Sequence, residues 1–171
     1  MNPIYLIGPM GSGKTTLGKL LAESMGFEFV DLDEWIEKEE GRSIQEIFSN
    51  DGESYFRDME TLALLTTKTW EDTVVACGGG IVELENNCMF LKTQKVINLM
   101  VDVESAIKRI NHDKKRPLLH AGESPKSQWN KLYKRRLSNY TACADFNFST
   151  QNQSLESTLS YITLLLGLKP K

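Results

Sequence analysis

Lys14 sits near the end of the run Gly8-Pro-Met-Gly-Ser-Gly-Lys-Thr15, whose glycines, lysine and hydroxyl are the parts needed to hold a polyphosphate. Glycine tolerates the dihedrals that turn successive backbone amides inward around phosphate oxygens. The helix expected to follow adds the partial positive charge of its N-terminus. Lys14 has the reach for β and γ oxygens, and the Thr15 hydroxyl suits Mg²⁺. Gly11, Ser12, Gly13, Lys14, Thr15 and Thr16 are therefore the expected nucleotide-binding residues. The pattern does not say where the terminal phosphoryl goes: to water, to a protein switch or to a small molecule.

Asp31 and Asp33, in Val-Asp-Leu-Asp-Glu-Trp, follow a short apolar run. In extended backbone, residues two apart point the same way, so both carboxylates are expected to face the phosphates. One can hold the hydration shell of Mg²⁺, and the other can take a proton from an attacking hydroxyl. Helix capping, for which Asp33 is well placed, explains one aspartate but not two. Asp102 ends an apolar run in a way that resembles a metal-binding strand end. It precedes a helix start, however, and reads more simply as a cap.

The remaining candidates are basic or featureless. Arg57 and Glu60 share a helix face at i, i+3, and Arg57 beside Phe56 can be half-buried and aimed at an anion. Gly78, Gly79 and Gly80 remove every side chain at one strand end, which lets a ligand approach the backbone. Arg116 lies in an aperiodic stretch, 112–124, and suits a mobile lid closing on a transferring phosphoryl. Arg135 and Arg136 each offer a guanidinium able to grip a carboxylate in a bidentate fork.

These residues need elements to position them. Apolar runs over 3–8, 27–30, 73–77, 95–101 and 146–149 read as strands. Helical spacing covers 14–25, 32–40, 43–67, 84–93, 103–111, 125–142 and 154–166, with Gly26 as a stop and Ser43–Glu46 as a capping box. Alternating strands and helices imply a parallel sheet with helices on both faces. Ligands in such sheets collect at the carboxyl ends of the strands, where the candidate residues lie.

With 171 residues, 40% of them hydrophobic, one domain over 1–171 with a sizeable core is expected. A net charge of −3 argues against general nucleic-acid binding. Acidic residues concentrate in 31–60 and basic ones in 108–136. Three cysteines without a CxxC spacing form neither a disulfide framework nor a zinc site, and fit a reduced, cytoplasmic setting. No apolar run is long enough to cross a bilayer. A GTPase would need an NKxD-like base-reading motif, and none is present.

Taken in order, GxxxxGKT, DLD, GExxFRxxE, GGG, RPLL and RxxxY resemble the shikimate kinase family across nearly the whole chain. That resemblance implies a nucleoside-monophosphate-kinase-like fold of three α/β/α layers, with a five-stranded sheet ordered 2-3-1-4-5. It implies ATP and Mg²⁺ as cofactors and shikimate as the small-molecule substrate. The implied catalytic set is Asp33, Lys14 and Arg116, with Thr15 and Asp31 at the metal. Asp33, Arg57, Gly79, Gly80 and Arg136 are the implied substrate contacts, with Arg135 an alternative to Arg136 because the family's usual RxPLY lacks its proline here. Arg109, Arg116 and Gln153 are implied on the nucleotide. A cytoplasmic monomer with no nucleic-acid or membrane partner completes the expectation. A gluconate kinase of the same fold and a non-catalytic nucleotide-binding protein are the alternatives.

Overall fold

The structure is a computed structural model that describes residues 1–110, 124–151 and 153–167. Its strands are β1 (Ile4–Ile7), β2 (Glu28–Asp31), β3 (Thr73–Ala76), β4 (Lys95–Met100) and β5 (Phe146–Ser149). They form one parallel sheet ordered β2-β3-β1-β4-β5. Its helices are α1 (Lys14–Met25), α2 (Leu32–Glu40), α3 (Ile44–Asn50), α4 (Gly52–Thr66), α5 (Glu85–Leu91), α6 (Val103–Ile110), α7 (Pro125–Cys143) and α8 (Leu155–Leu165).

The continuous apolar runs of β1 and β3 follow from burial on both faces, since successive side chains point to opposite sides. Tyr5, Ile7 and Val75 face a core shared with Ile36 of α2, Phe56 and Leu64 of α4, Leu91 of α5 and Tyr140 of α7. Ile4, Leu6 and Val74 face the other core, with Leu17 and Leu21 of α1 and Ile162 of α8. Each side chain so buried contributes roughly 1.5–3 kcal/mol. The result is the expected three-layer sandwich, with a small third cluster of Val101, Ala106, Ile110 and Trp129 joining α6 to α7.

Two expectations are corrected. The helix read over 43–67 is two helices, because Gly52 adopts φ 85° and turns the chain between α3 and α4. The capping box survives at the start of α3: Glu46 Oε2 accepts from Ser43 N–H at 2.7 Å, and Ser43 Oγ from Glu46 N–H at 3.3 Å. Asp33 is not in extended backbone; it lies in the first turn of α2. Asp31, not Asp33, is the N-cap, its Oδ1 accepting from Asp33 N–H at 3.1 Å. The two carboxylates are therefore set by a strand end and a helix turn, not by strand alternation. Asp102 is a helix cap as read, accepting from Ser105 N–H at 2.9 Å.

The stretch 112–123, with Arg116, lies outside the described residues. Among the described residues, no helix is long and apolar enough to cross a membrane.

Candidate active site

The carboxyl ends of β1, β2 and β3 meet in one cleft. It is lined by Gly11, Gly13, Lys14, Thr15, Thr16, Asp31, Asp33, Cys77, Gly79 and Arg109. Its floor is the loop between β1 and α1, in which Gly8, Gly11 and Gly13 take φ of 136°, 78° and 95°. Those values are open to glycine and strained for other residues, and they turn the backbone into a cradle. Ser12 is fully buried beneath it. Lys14 folds over the loop and donates to the Gly8 and Pro9 carbonyls at 2.9 and 3.0 Å. Thr15 Oγ1 donates to Asp31 Oδ2 at 2.8 Å, which joins the loop to the end of β2.

Arg109, on α6, reaches the mouth of the cradle. It donates to the Gly11 carbonyl at 3.1 Å and to the Thr150 hydroxyl and carbonyl at 3.2 and 3.3 Å. Thr150, directly after β5, was missed by sequence reasoning. It anchors Arg109 and lies within hydrogen-bond distance of the Ser12 carbonyl. Gln153 is exposed just before α8, where its Oε1 accepts from Ser157 Oγ at 3.3 Å. It is not among the residues lining the cleft.

The three glycines after β3 bring the remaining candidates together. A Cβ on Gly78 would stand 2.6 Å from Asp33 Oδ1 and 2.6 Å from Glu60 Oε1, so these carboxylates flank the same backbone. A Cβ on Gly79 would lie 3.7 Å from Arg136 Nη1 and 3.6 Å from Met10 N. A Cβ on Gly80 would overlap the Arg57 guanidinium. Side chains from α2, α4 and α7 thus converge on one stripped strand end.

Electrostatics sharpen the picture. Glu60 is 1% exposed and ion-paired through Oε2 with Arg57 Nη1, while its Oε1 has no hydrogen-bond partner among the described residues. Burial pushes its carboxyl up to about 7; Arg57 opposes the rise and Asp33 adds to it. Burial pulls the Arg57 guanidinium down, but Glu60, with help from Glu53 at 2.9 Å, raises it on balance. Arg136 and Arg135 both pair with Glu83, yet their side chains are 9% and 58% exposed. Of the two, it is Arg136 that presents a nitrogen beside Gly79. Tyr140 OH donates to the Gly79 carbonyl, which fixes α7 against the same turn. Burial raises the Tyr140 and Cys77 pKa values strongly, so neither is an acid or thiolate nucleophile at neutral pH.

A glycine cradle at a helix N-terminus, beside two carboxylates and two inward guanidiniums, defines a P-loop kinase site for a small anionic acceptor. Solved structures agree at the level of fold: deoxyadenosine kinase from M. mycoides superposes with TM-score 0.63 at 16% identity, over 96% of this chain and 99% of that one. The shikimate kinase family profile matches residues 10–166. Shikimate kinase from Synechococcus elongatus is 44% identical over 86% of this chain and 77% of its own length. The Persephonella marina enzyme is 43% identical over 90% and 92%. Shikimate kinase from Acinetobacter baumannii, solved in complex with shikimate, superposes with TM-score 0.91 at 38% identity, over 98% of this chain and 94% of that one. The chain belongs to the shikimate kinase family.

Proposed function

We propose that this protein transfers the γ-phosphoryl group of ATP to the 3-hydroxyl of shikimate. The observation that carries the reading is the meeting of Asp33, Arg57 and Arg136 at Gly78–Gly80, where Asp33 and Gly79 line the cleft together with Lys14 and Thr15. A nucleotide-binding protein without an acceptor has no use for such a wall. A neutral sugar gives two buried guanidiniums nothing to grip.

Family membership supports a specific division of labour. The cradle amides and Lys14 hold the β- and γ-phosphates, and Arg109 braces the loop from the nucleotide side. The Thr15–Asp31 pair fits Mg²⁺, which keeps water and phosphate oxygens in its shell and needs few protein ligands. Bound there, the ion would neutralise charge on the phosphate oxygens. Arg57 and Arg136 take the shikimate carboxylate in charge-assisted hydrogen bonds. Gly79 and Gly80 let the ring lie against the backbone. Asp33 accepts the proton of the 3-hydroxyl as its oxygen bonds to the γ-phosphorus. The bond from that phosphorus to the β–γ bridging oxygen breaks, and ADP leaves. The first turn of α2 places Asp33 for this task by holding its carboxylate beside Gly78 at the end of β3.

The three free cysteines, all buried, fit a cytoplasmic setting, and we read the working unit as a monomer. An acceptor panel tests the proposal. Shikimate should exceed gluconate, an open-chain acid that cannot set its carboxylate at the clamp and a hydroxyl at Asp33 without freezing its chain, by at least ~10²-fold in kcat/KM, about 3 kcal/mol. Comparable values would refute it.

A further inference from the structure

The carboxylate of Glu83 lies beside the glycine wall and has no task in the reaction above. It ends a short 3₁₀ turn, Ile81–Glu83, that follows directly from the glycine wall. The turn is rigidly mounted. Ile81 and Val82 are fully buried, and Glu83 N–H donates to the Gly80 carbonyl at 2.9 Å. The Val82 carbonyl accepts from Asn139 Nδ2 of α7 at 2.8 Å and from Cys88 Sγ of α5 at 3.2 Å. Glu83 therefore projects from a fixed platform toward α7.

Its Oε1 accepts from Arg136 Nε at 2.5 Å and also from Arg136 Nη2, while Arg135 Nη2 donates to the same oxygen at 2.6 Å. A guanidinium has two hydrogen-bonding edges, one formed by Nε and Nη2 and the other by Nη1 and Nη2. Glu83 occupies the first edge. This leaves Nη1 turned to Gly79, on the cleft side. Half-burial alone would raise the Glu83 carboxyl, but Arg136 and then Arg135 hold it below the usual range, so it is ionised at neutral pH. Arg57 is near enough to contribute to that lowering.

We infer that Glu83 is a positioning residue for substrate: it clamps one edge of Arg136 so that the other edge is pre-aimed at the carboxylate of the acceptor acid. This rests on the reading of the cleft as a shikimate site. A long arginine side chain otherwise loses rotamer freedom only when substrate arrives, and pre-aiming moves that cost into folding. Because Glu83 approaches from outside the cleft, it supports the acceptor without competing for its binding edge.

The test is steady-state kinetics on Glu83→Ala, Glu83→Asp and Glu83→Gln, with melting temperatures. Alanine and the shorter aspartate should each raise the KM for shikimate about tenfold, with kcat and the KM for ATP within twofold of wild type. That is the partial loss of a charge-assisted contact. Glutamine keeps an acceptor oxygen at the same reach and should restore KM to within threefold. An unchanged or lowered KM in the folded alanine variant overturns the inference, a lowered one meaning that Glu83 competes with substrate. Should the alanine variant fail to fold, the aspartate variant decides by the same criterion. A parallel fall of kcat and melting temperature in all three would reduce Glu83 to a structural support. Wild-type protein inert toward shikimate would instead refute the reading of the site.

Discussion

Gly80→Ala is the sharpest perturbation available, because backbone strain plays no part in it. Gly80 has φ −93° and ψ −4°, a right-handed conformation that alanine adopts freely. The added methyl would stand 2.5 Å from Arg57 Cζ and 2.7 Å from its Nη2, and would overlap Nη1 outright. The guanidinium must therefore shift, disturbing its pair with Glu60, which is buried and, among the described residues, has no other cation hydrogen-bonded to it. Leaving a buried charge without its partner costs up to ~3–5 kcal/mol. Partial retreat and protonation of Glu60 reduce that to about 2–3 kcal/mol, a fall in Tm of roughly 5–10 °C for a chain of this size. In the account above, the same displacement removes one charge-assisted contact to shikimate. At roughly 1.5–3 kcal/mol, its loss raises the KM for shikimate roughly 10- to 100-fold and leaves the KM for ATP unchanged. Gly79→Ala is the matched comparison. Its methyl meets its nearest neighbours at 3.6–3.8 Å, ordinary contact, so Tm should hold while the KM for shikimate rises because the cleft wall thickens. Coupled ADP release at varied shikimate, with thermal melts, reads both. A Gly80→Ala protein with wild-type KM and Tm would refute the geometry of the Arg57–Glu60 pair.

Other consequences follow from the same site. Asp33→Asn should lower kcat by about 10²–10⁴ with ATP affinity near wild type, as for loss of a general base; rapid turnover in the variant would remove Asp33 from the chemistry. The Glu60 carboxyl, raised to about 7, binds its proton more tightly folded than unfolded. Its contribution to stability is thus greatest below the unfolded value of 4.5, declines as pH rises toward 7, and is level above. A rise of that size corresponds to on the order of 3 kcal/mol. Glu60→Gln should therefore gain stability relative to wild type between pH 4.5 and 7, measured as the difference in Tm; a pH-independent difference would mean that Glu60 is ionised throughout.

Much of this arrangement is legible locally. Gly8–Thr15 declares the phosphate cradle through glycine spacing alone, and Ser43–Glu46 declares its capping box through neighbours three residues apart. Strand order is a different matter. Nothing in β2 or β3 states that β3 lies between β2 and β1; that expectation came from the family resemblance. The split at Gly52 was legible but passed over: residues 49–54 carry no apolar side chain and include an Asp-Gly turn signal, and Gly52 takes the positive φ there. Asp31 and Asp33 were placed at the correct strand end, but their local geometry was misread. A strand-to-helix transition between them changes both directions. Glu83 escaped for the most general reason. Its partners are 52 and 53 residues away in sequence, and no local pattern distinguishes it from a solvated acid. The one available signal was an acidic residue three positions past the glycine wall in a chain with two arginines in search of a counter-ion. Thr150 is similar, since its contacts to Ser12 and Arg109 cross 138 and 41 residues.

The central claim is that phosphoryl transfer requires the acid bound at the glycine wall. It is tested most directly by coupled ADP release from ATP with shikimate present and absent. The account predicts steady release with shikimate and only slow background hydrolysis without it. Release at one rate in both conditions would contradict it.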